Sequence, residues 1–143
     1  VPLTIQPWLD GLDALRPASD EGGAQGLEGE RGRIIDSMRS SDAHGVVSGA
    51  TKASYQMAVV GAGRDGSAEA AESFAAVAEL NPGHVGRGTV SVEGVGVAFY
   101  SGTNYQSDLE TQGKAVLEPT VQHEAQALTA AYARGSKRRL GGG

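Results

Sequence analysis

Apolar residues recur along this chain with two periods, one helical and one of strands, and their order sets the expected elements. Near the start, Leu3, Ile5, Trp8, Leu9, Leu12 and Leu15 are apolar, and Trp8, Leu12 and Leu15 share a helical face. Pro7 suits a first turn and Pro17 a stop, so a helix is expected to end close to Leu15. Ala18–Gly29 is rich in Gly, Asp and Glu and reads as a flexible connection, making residues 1–26 an N-terminal segment and linker. Leu27, Ile34, Ile35 and Met38 then predict a short helix over Leu27–Arg39. His44-Gly45 and Ser48-Gly49 mark turns, and Ser54–Val60 reads as a strand with Tyr55, Met57 and Val59 on one face.

After the loop Gly61–Gly66, Ser67–Leu80 predicts a helix capped by Ser67, with Ala71, Phe74, Val77 and Ala78 inward and Asn81-Pro82-Gly83 as its stop. Val90/Val92 and Val95/Val97/Phe99 alternate across Gly94, which predicts a hairpin of Gly88–Glu93 and Val95–Tyr100 with one buried face. A Gly102-Thr103-Asn104 turn leads to an acidic segment, Tyr105–Glu110. The last helix is expected over Glu118–Arg139, with Pro119 in its first turn, an apolar stripe of Val121, Ala125, Leu128 and Tyr132, and Gly135 as a weak point. Residues 140–143 form a flexible tail. The fold class that follows is α+β: a small antiparallel or mixed sheet packed against two or three helices, one of them a long C-terminal helix, in a single domain over 1–143.

Composition narrows the function classes. Seven aromatics leave the core to Val, Leu, Ile, Met and Ala, and 22 glycines argue against a simple helix bundle. A net charge of −5 speaks against a dedicated nucleic-acid surface. The basic cluster Arg134, Lys137, Arg138 and Arg139 also complements the macrodipole at a helix C-terminus. With no cysteine, disulfides and thiolate chemistry are excluded. No apolar run approaches a membrane span and no signal-peptide pattern opens the chain, so synthesis in the cytoplasm is expected.

Met57–Gly66 is an apolar strand running into G-x-G-x-x-G (Gly61, Gly63, Gly66) and then a helix, the local context of a dinucleotide site. Three features weigh against it. Too few residues follow for a doubly wound sheet with a substrate domain. Glu79 and Glu93 are misplaced for a ribose contact, and Asp65 sets a carboxylate beside the would-be phosphate. A plain strand–turn–helix connection is expected, without a cofactor. His44, His84 and His123 lack metal-ligand spacing, His123-Glu124 reads as a solvated face, and no G-x-S-x-G is present. Asp108, Glu110 and Glu118 read as surface carboxylates, and no enzyme is expected.

The element order resembles the neck and tail-completion (head–tail connector) proteins of long-tailed bacteriophages. The similarity runs from about Leu27 to Leu140. It is carried by the helix Leu27–Arg39, the turn Ser48-Gly49-Ala50-Thr51-Lys52-Ala53-Ser54, and the strand residues Val95-Gly96-Val97-Ala98-Phe99-Tyr100. Asn104-Tyr105, the aliphatic–Glu pair Leu109-Glu110 and Ala115-Val116-Leu117-Glu118-Pro119 complete it. Residues 61–86 look like an inserted loop–helix, and Thr111-Gln112-Gly113 replaces the family's aromatic–Gly pair.

The resemblance implies a structural virion protein, made in the host cytoplasm, that forms a homomeric ring at the head–tail junction. Hexamers or dodecamers are the expected assemblies, with adjacent connector and tail-tube proteins as partners. DNA would pass through the lumen without sequence-specific binding, and a net charge of −5 per subunit suits a lumen that repels it. Expected assembly residues are Tyr55, Met57, Val59, Val95, Val97, Phe99, Tyr105, Leu109 and Glu110. Two other readings stand beside this one. One is a small nucleotide-binding module or enzyme using Gly61, Gly63 and Gly66; the other, from the Ala/Gly bias and Trp8, is a secreted helical partner protein.

Overall fold

The computed structural model describes residues 6–41, 49–86, 93–111 and 115–141, with side chains described from Leu15 onward except at 107 and 108. Helix α1 spans Gln6–Arg39, α2 Ala50–Ser54, strand β1 Gln56–Val60 and α3 Ser67–Leu80. A 3-10 turn covers Pro82–His84, followed by β2 Gly96–Tyr100, α4 Gln106–Thr111 and α5 Leu117–Arg139. The fold is α+β, with a two-stranded antiparallel sheet and a long C-terminal helix.

The sheet lies between two helical layers. In β1 and β2, paired Gln56↔Tyr100 through Val60↔Gly96, side chains alternate between faces. Tyr55, Met57, Val59, Val95, Val97 and Phe99 pack with Leu27, Ile34, Ile35 and Met38 of α1 and Leu128 of α5. Ala58, Val60, Ala98 and Tyr100 pack with Ala70 and Phe74 of α3 on the other side. The single buried face expected of Val95–Tyr100 is thereby corrected, since Ala98 and Tyr100 of β2 are buried under α3 while Val97 and Phe99 pack on the opposite side. Strand β1, between the same layers, is buried throughout. The expected partner strand Gly88–Glu93 falls largely outside the described residues. Its last residue, Glu93, lies in the bend that precedes β2.

The largest departure from expectation is α1. One 34-residue helix replaces the expected helix, linker and second helix, and Pro17 lies inside it. The connection expected at Ala18–Gly29 is helical because α5 packs along it. Gly22 and Gly23 are buried, and a Cβ at Gly26 would drive into the Ala131 carbonyl oxygen. A Cβ at Gly22 would likewise meet the Gly135 carbonyl oxygen, and one at Gly23 the Tyr132 ring. Low helix propensity is overridden by a contact that only glycine permits. Side chains clamp the same crossing: Tyr132 Oη donates to Asp20 Oδ1 at 2.8 Å, and Ser136 Oγ donates to the Ser19 carbonyl at 2.7 Å. Gly135, expected to weaken α5, is instead a buried residue in the middle of that contact.

Helix α3 forms where expected, with its buried face turned by about one residue. Ala70, Ser73 and Val77 are buried, while Ala71 and Ala78 are exposed. Ser73 explains the turn, since its hydroxyl donates to the Ser54 carbonyl at the end of α2. Gly66, not Ser67, occupies the N-cap position, at φ 74°.

Candidate assembly site

The residues expected to form an assembly surface divide into two groups. Tyr55 and Met57 are fully buried, Val59 nearly so, and Val95, Val97 and Phe99 are half-buried against the same core. Strand alternation turns all six toward α1 and α5, so their side chains belong to the interior of the chain's own fold. What the strands offer a neighbour is backbone. At β1 that backbone is already engaged: Arg39 Nε donates to the Tyr55 carbonyl at 3.1 Å and Arg31 Nε to the Met57 carbonyl at 2.8 Å. Arg31 Nη2 also donates to Gln56 Oε1 at 3.1 Å. These arginines come from α1 and cap the outer edge of β1, a role that no local sequence pattern marks.

Tyr105, Leu109 and Glu110 belong to a second constellation at one end of the sheet. The Tyr105 hydroxyl lies 2.7 Å from Thr51 Oγ1 of α2, and its ring meets His84 edge-on with centroids 5.5 Å apart. Leu109 is half-buried in α4. Glu110 Oε1 accepts from the Leu117 amide at 2.6 Å, the Val116 amide at 3.4 Å and Gln106 Nε2 at 3.1 Å. A carboxylate there satisfies free amides and faces the positive end of the α5 dipole. Glu110 is thus the cap of the last helix, where a surface carboxylate was expected. Its other oxygen, Oε2, is buried without a hydrogen-bond partner. Gln106 Oε1 accepts a long bond, 3.4 Å, from Tyr55 Oη. Burial, with a smaller push from the Glu110 charge, raises the Tyr55 phenol to about 12 despite the opposing Gln106 bond.

Two of the three loop glycines are committed to packing. Gly61 is at φ 98°, where a Cβ would strike the Gly94 carbonyl oxygen. A Cβ at Gly66 would lie 3.0 Å from Tyr100 Oη and 3.2 Å from Ala58 Cβ. Gly63, at φ 85°, faces open space. The first amide of α3 is taken by Asp65, whose Oδ1 accepts from Ser67 N at 3.0 Å, and this bond lowers the Asp65 carboxyl below its ordinary value. Arg64 ties the loop to α1 through Glu21 at 2.9 Å and Glu28 at 2.6 Å. The strand after the loop's helix pairs antiparallel, unlike the parallel βαβ unit that positions a dinucleotide.

The expectation of a solvated His123-Glu124 face is half corrected. His123 is exposed, but Glu124 is buried, and Arg33 grips both its oxygens at 3.0 and 2.8 Å. That hydrogen bonding lowers the Glu124 carboxyl below its ordinary value against the opposing effect of burial. The partner lies 91 residues away, so the sequence alone could not pair them. Among the described residues no group of His, Asp and Glu is arranged to hold a metal ion, and His44 lies outside them. No described helix is long and apolar enough to cross a membrane. Neither family models, nor curated proteins, nor solved structures match the chain.

Proposed function

We propose that this protein is a ring-forming structural component of the head–tail junction of a long-tailed bacteriophage. In this reading it joins the portal side to the tail tube around the DNA channel. The observation that carries the proposal is the convergence of the segments on which the resemblance rests. Thr51 of α2, which stands where the resemblance places a turn, meets Tyr105, Tyr55 meets Gln106, and Glu110 of the aliphatic–Glu pair caps the helix containing Pro119. Segments scattered between Thr51 and Leu117 thus contact one another. A long helix, two antiparallel strands and a C-terminal helix are present in that order, with α2 at the expected turn and α3 between the strands.

Arg31 and Arg39 close the outer edge of β1, so strand pairing between subunits would run along β2, whose Val97 and Phe99 are half-buried. Light scattering and negative-stain images test the reading. A closed ring, or a monomer that joins portal or tail-tube rings when these are added, is the expected result. A monodisperse monomer with no affinity for either partner refutes it.

A further inference from the structure

Four of the ten described lysines and arginines are engaged by side-chain bonds within the fold. Arg31 and Arg39 hold β1 carbonyls, Arg33 holds Glu124 and Glu30, and Arg64 holds Glu21 and Glu28. The last turns of α5 are different. Arg134, Lys137, Arg138 and Arg139 are all exposed, and no carboxylate follows Glu124 in the sequence. The side chains of Lys137 and Arg138 make no hydrogen bond or ion pair among the described residues. Arg134 has only a 3.8 Å contact to Glu30, and Arg139 acts on Glu21 through its field alone. Arg138 and Arg139 flank Gly135 and line an open groove of about 240 Å³ with Gly22 and Gln25. No acidic side chain lines this groove. Glu21, which feels the field of Arg139, is already bonded by Arg64 and by Gln25.

We propose that this basic tip is a contact surface for the phosphate backbone of duplex DNA. Guanidinium forks match phosphate oxygens two at a time, and three of the four cations are arginine. A fan of four cations around one helix end, with a groove between two of them, suits successive phosphates along a strand better than one enclosed anion. It reads no base edge, so the contact is independent of sequence. The rest of the molecule, with 8 of the 12 Lys and Arg against all 17 Asp and Glu, repels DNA and confines contact to the tip. The proposal does not depend on ring assembly, because a single subunit carries the whole surface.

Fluorescence anisotropy of a labelled duplex with the full chain tests it. Four phosphate contacts predict a salt dependence, log Kobs against log[salt], with slope roughly −3 to −4. The triple variant Lys137→Gln/Arg138→Gln/Arg139→Gln should flatten the slope to about −1 and weaken binding more than tenfold at low salt. Its oligomeric state should match the parent and its melting temperature should fall by only a few degrees, since these exposed side chains lose no more than their interaction with the α5 dipole. Displacement of the duplex by inorganic phosphate at millimolar concentration would assign the groove to a small anion and overturn the proposal. So would an absence of binding, binding unchanged by the triple substitution, or a variant whose only change is altered association between protein chains. Failure of DNA binding in a protein that still forms rings would leave the assembly reading standing.

Discussion

Substituting alanine for Gly135 tests whether the α1–α5 crossing depends on missing side chains. In an exposed helix interior the change is stabilising by about 1 kcal/mol, because alanine loses less backbone entropy. At Gly135 the new methyl would drive into the Gly22 carbonyl oxygen and lie 2.9 Å from Gly22 C and 3.0 Å from Gly26 N. All three are backbone atoms of α1, so no rotamer change relieves the overlap. The helices must part by about 1 Å, and a gap of that size forfeits a quarter to a half of each dispersion contact along the seam. Overpacking at this severity costs about 3 kcal/mol. After the gain in propensity, a net loss of about 2 kcal/mol remains, a fall in Tm of roughly 6 °C for a domain of this size.

Gly29→Ala is the matched control. Gly29 is exposed in the same long helix, and a Cβ there would meet nothing within 4 Å. Its Tm should rise by about 3 °C. Differential scanning calorimetry of the two variants reads both signs. If Gly135→Ala melts at or above the parent temperature, the close crossing is not what these glycines serve.

Three further outcomes follow from the polar contacts. Because the folded Glu124 carboxyl sits below its ordinary value of 4.5, its pairing with Arg33 stabilises the protein above about pH 4.5 and is lost as pH falls through the folded pKa. Glu124→Gln should therefore lower Tm at pH 7 and converge with the parent under acid, and parallel melting curves at all pH would contradict the assignment. Ultraviolet titration should show a phenol ionising near 12, and Tyr55→Phe should remove that late step. The raised value favours the fold below pH 10 and is lost as pH climbs through 12. Arg64→Ala, which frees the loop from Glu21 and Glu28, should lower Tm by a few degrees and speed proteolysis between Gly61 and Gly66. Unchanged proteolysis would show that the loop is held by its own turn.

Residues with strong local signals were the ones that could be read in the sequence. The alternation of Tyr55, Met57 and Val59 gave the α1/α5 side of the sheet, and Pro119 marked the start of α5. Gly22, Gly23, Gly26 and Gly135 could not be read in the same way. A glycine in a linker and a glycine at a helix crossing look identical until the partner helix is placed, and that partner lies more than 100 residues away. The same limit hid the Arg33–Glu124 pair and the capping of β1 by Arg31 and Arg39. Glu110 was visible as part of a resemblance, but its capping of α5 depends on α4 lying beside the first amides of α5. The glycine loop was read as a plain strand–turn–helix connection, and β1 and α3 flank it. A motif that matches a phosphate cradle residue by residue serves here to bring Gly61 against Gly94 and Gly66 against Tyr100.

The crossing of α1 with α5 also bears on the order of events during synthesis. The glycine-rich middle of α1 has little tendency to stay helical alone. Its clamps come from Tyr132 and Ser136, which are translated 112 and 117 residues after their partners Asp20 and Ser19. A ribosome-bound chain therefore carries α1 unfinished until α5 has left the exit tunnel. Such long-range closure slows folding, and it makes completion of α5 the committing step. A product cut short before Tyr132 would leave the glycine face of α1 bare and open to degradation, so only chains that include α5 would reach their place of use.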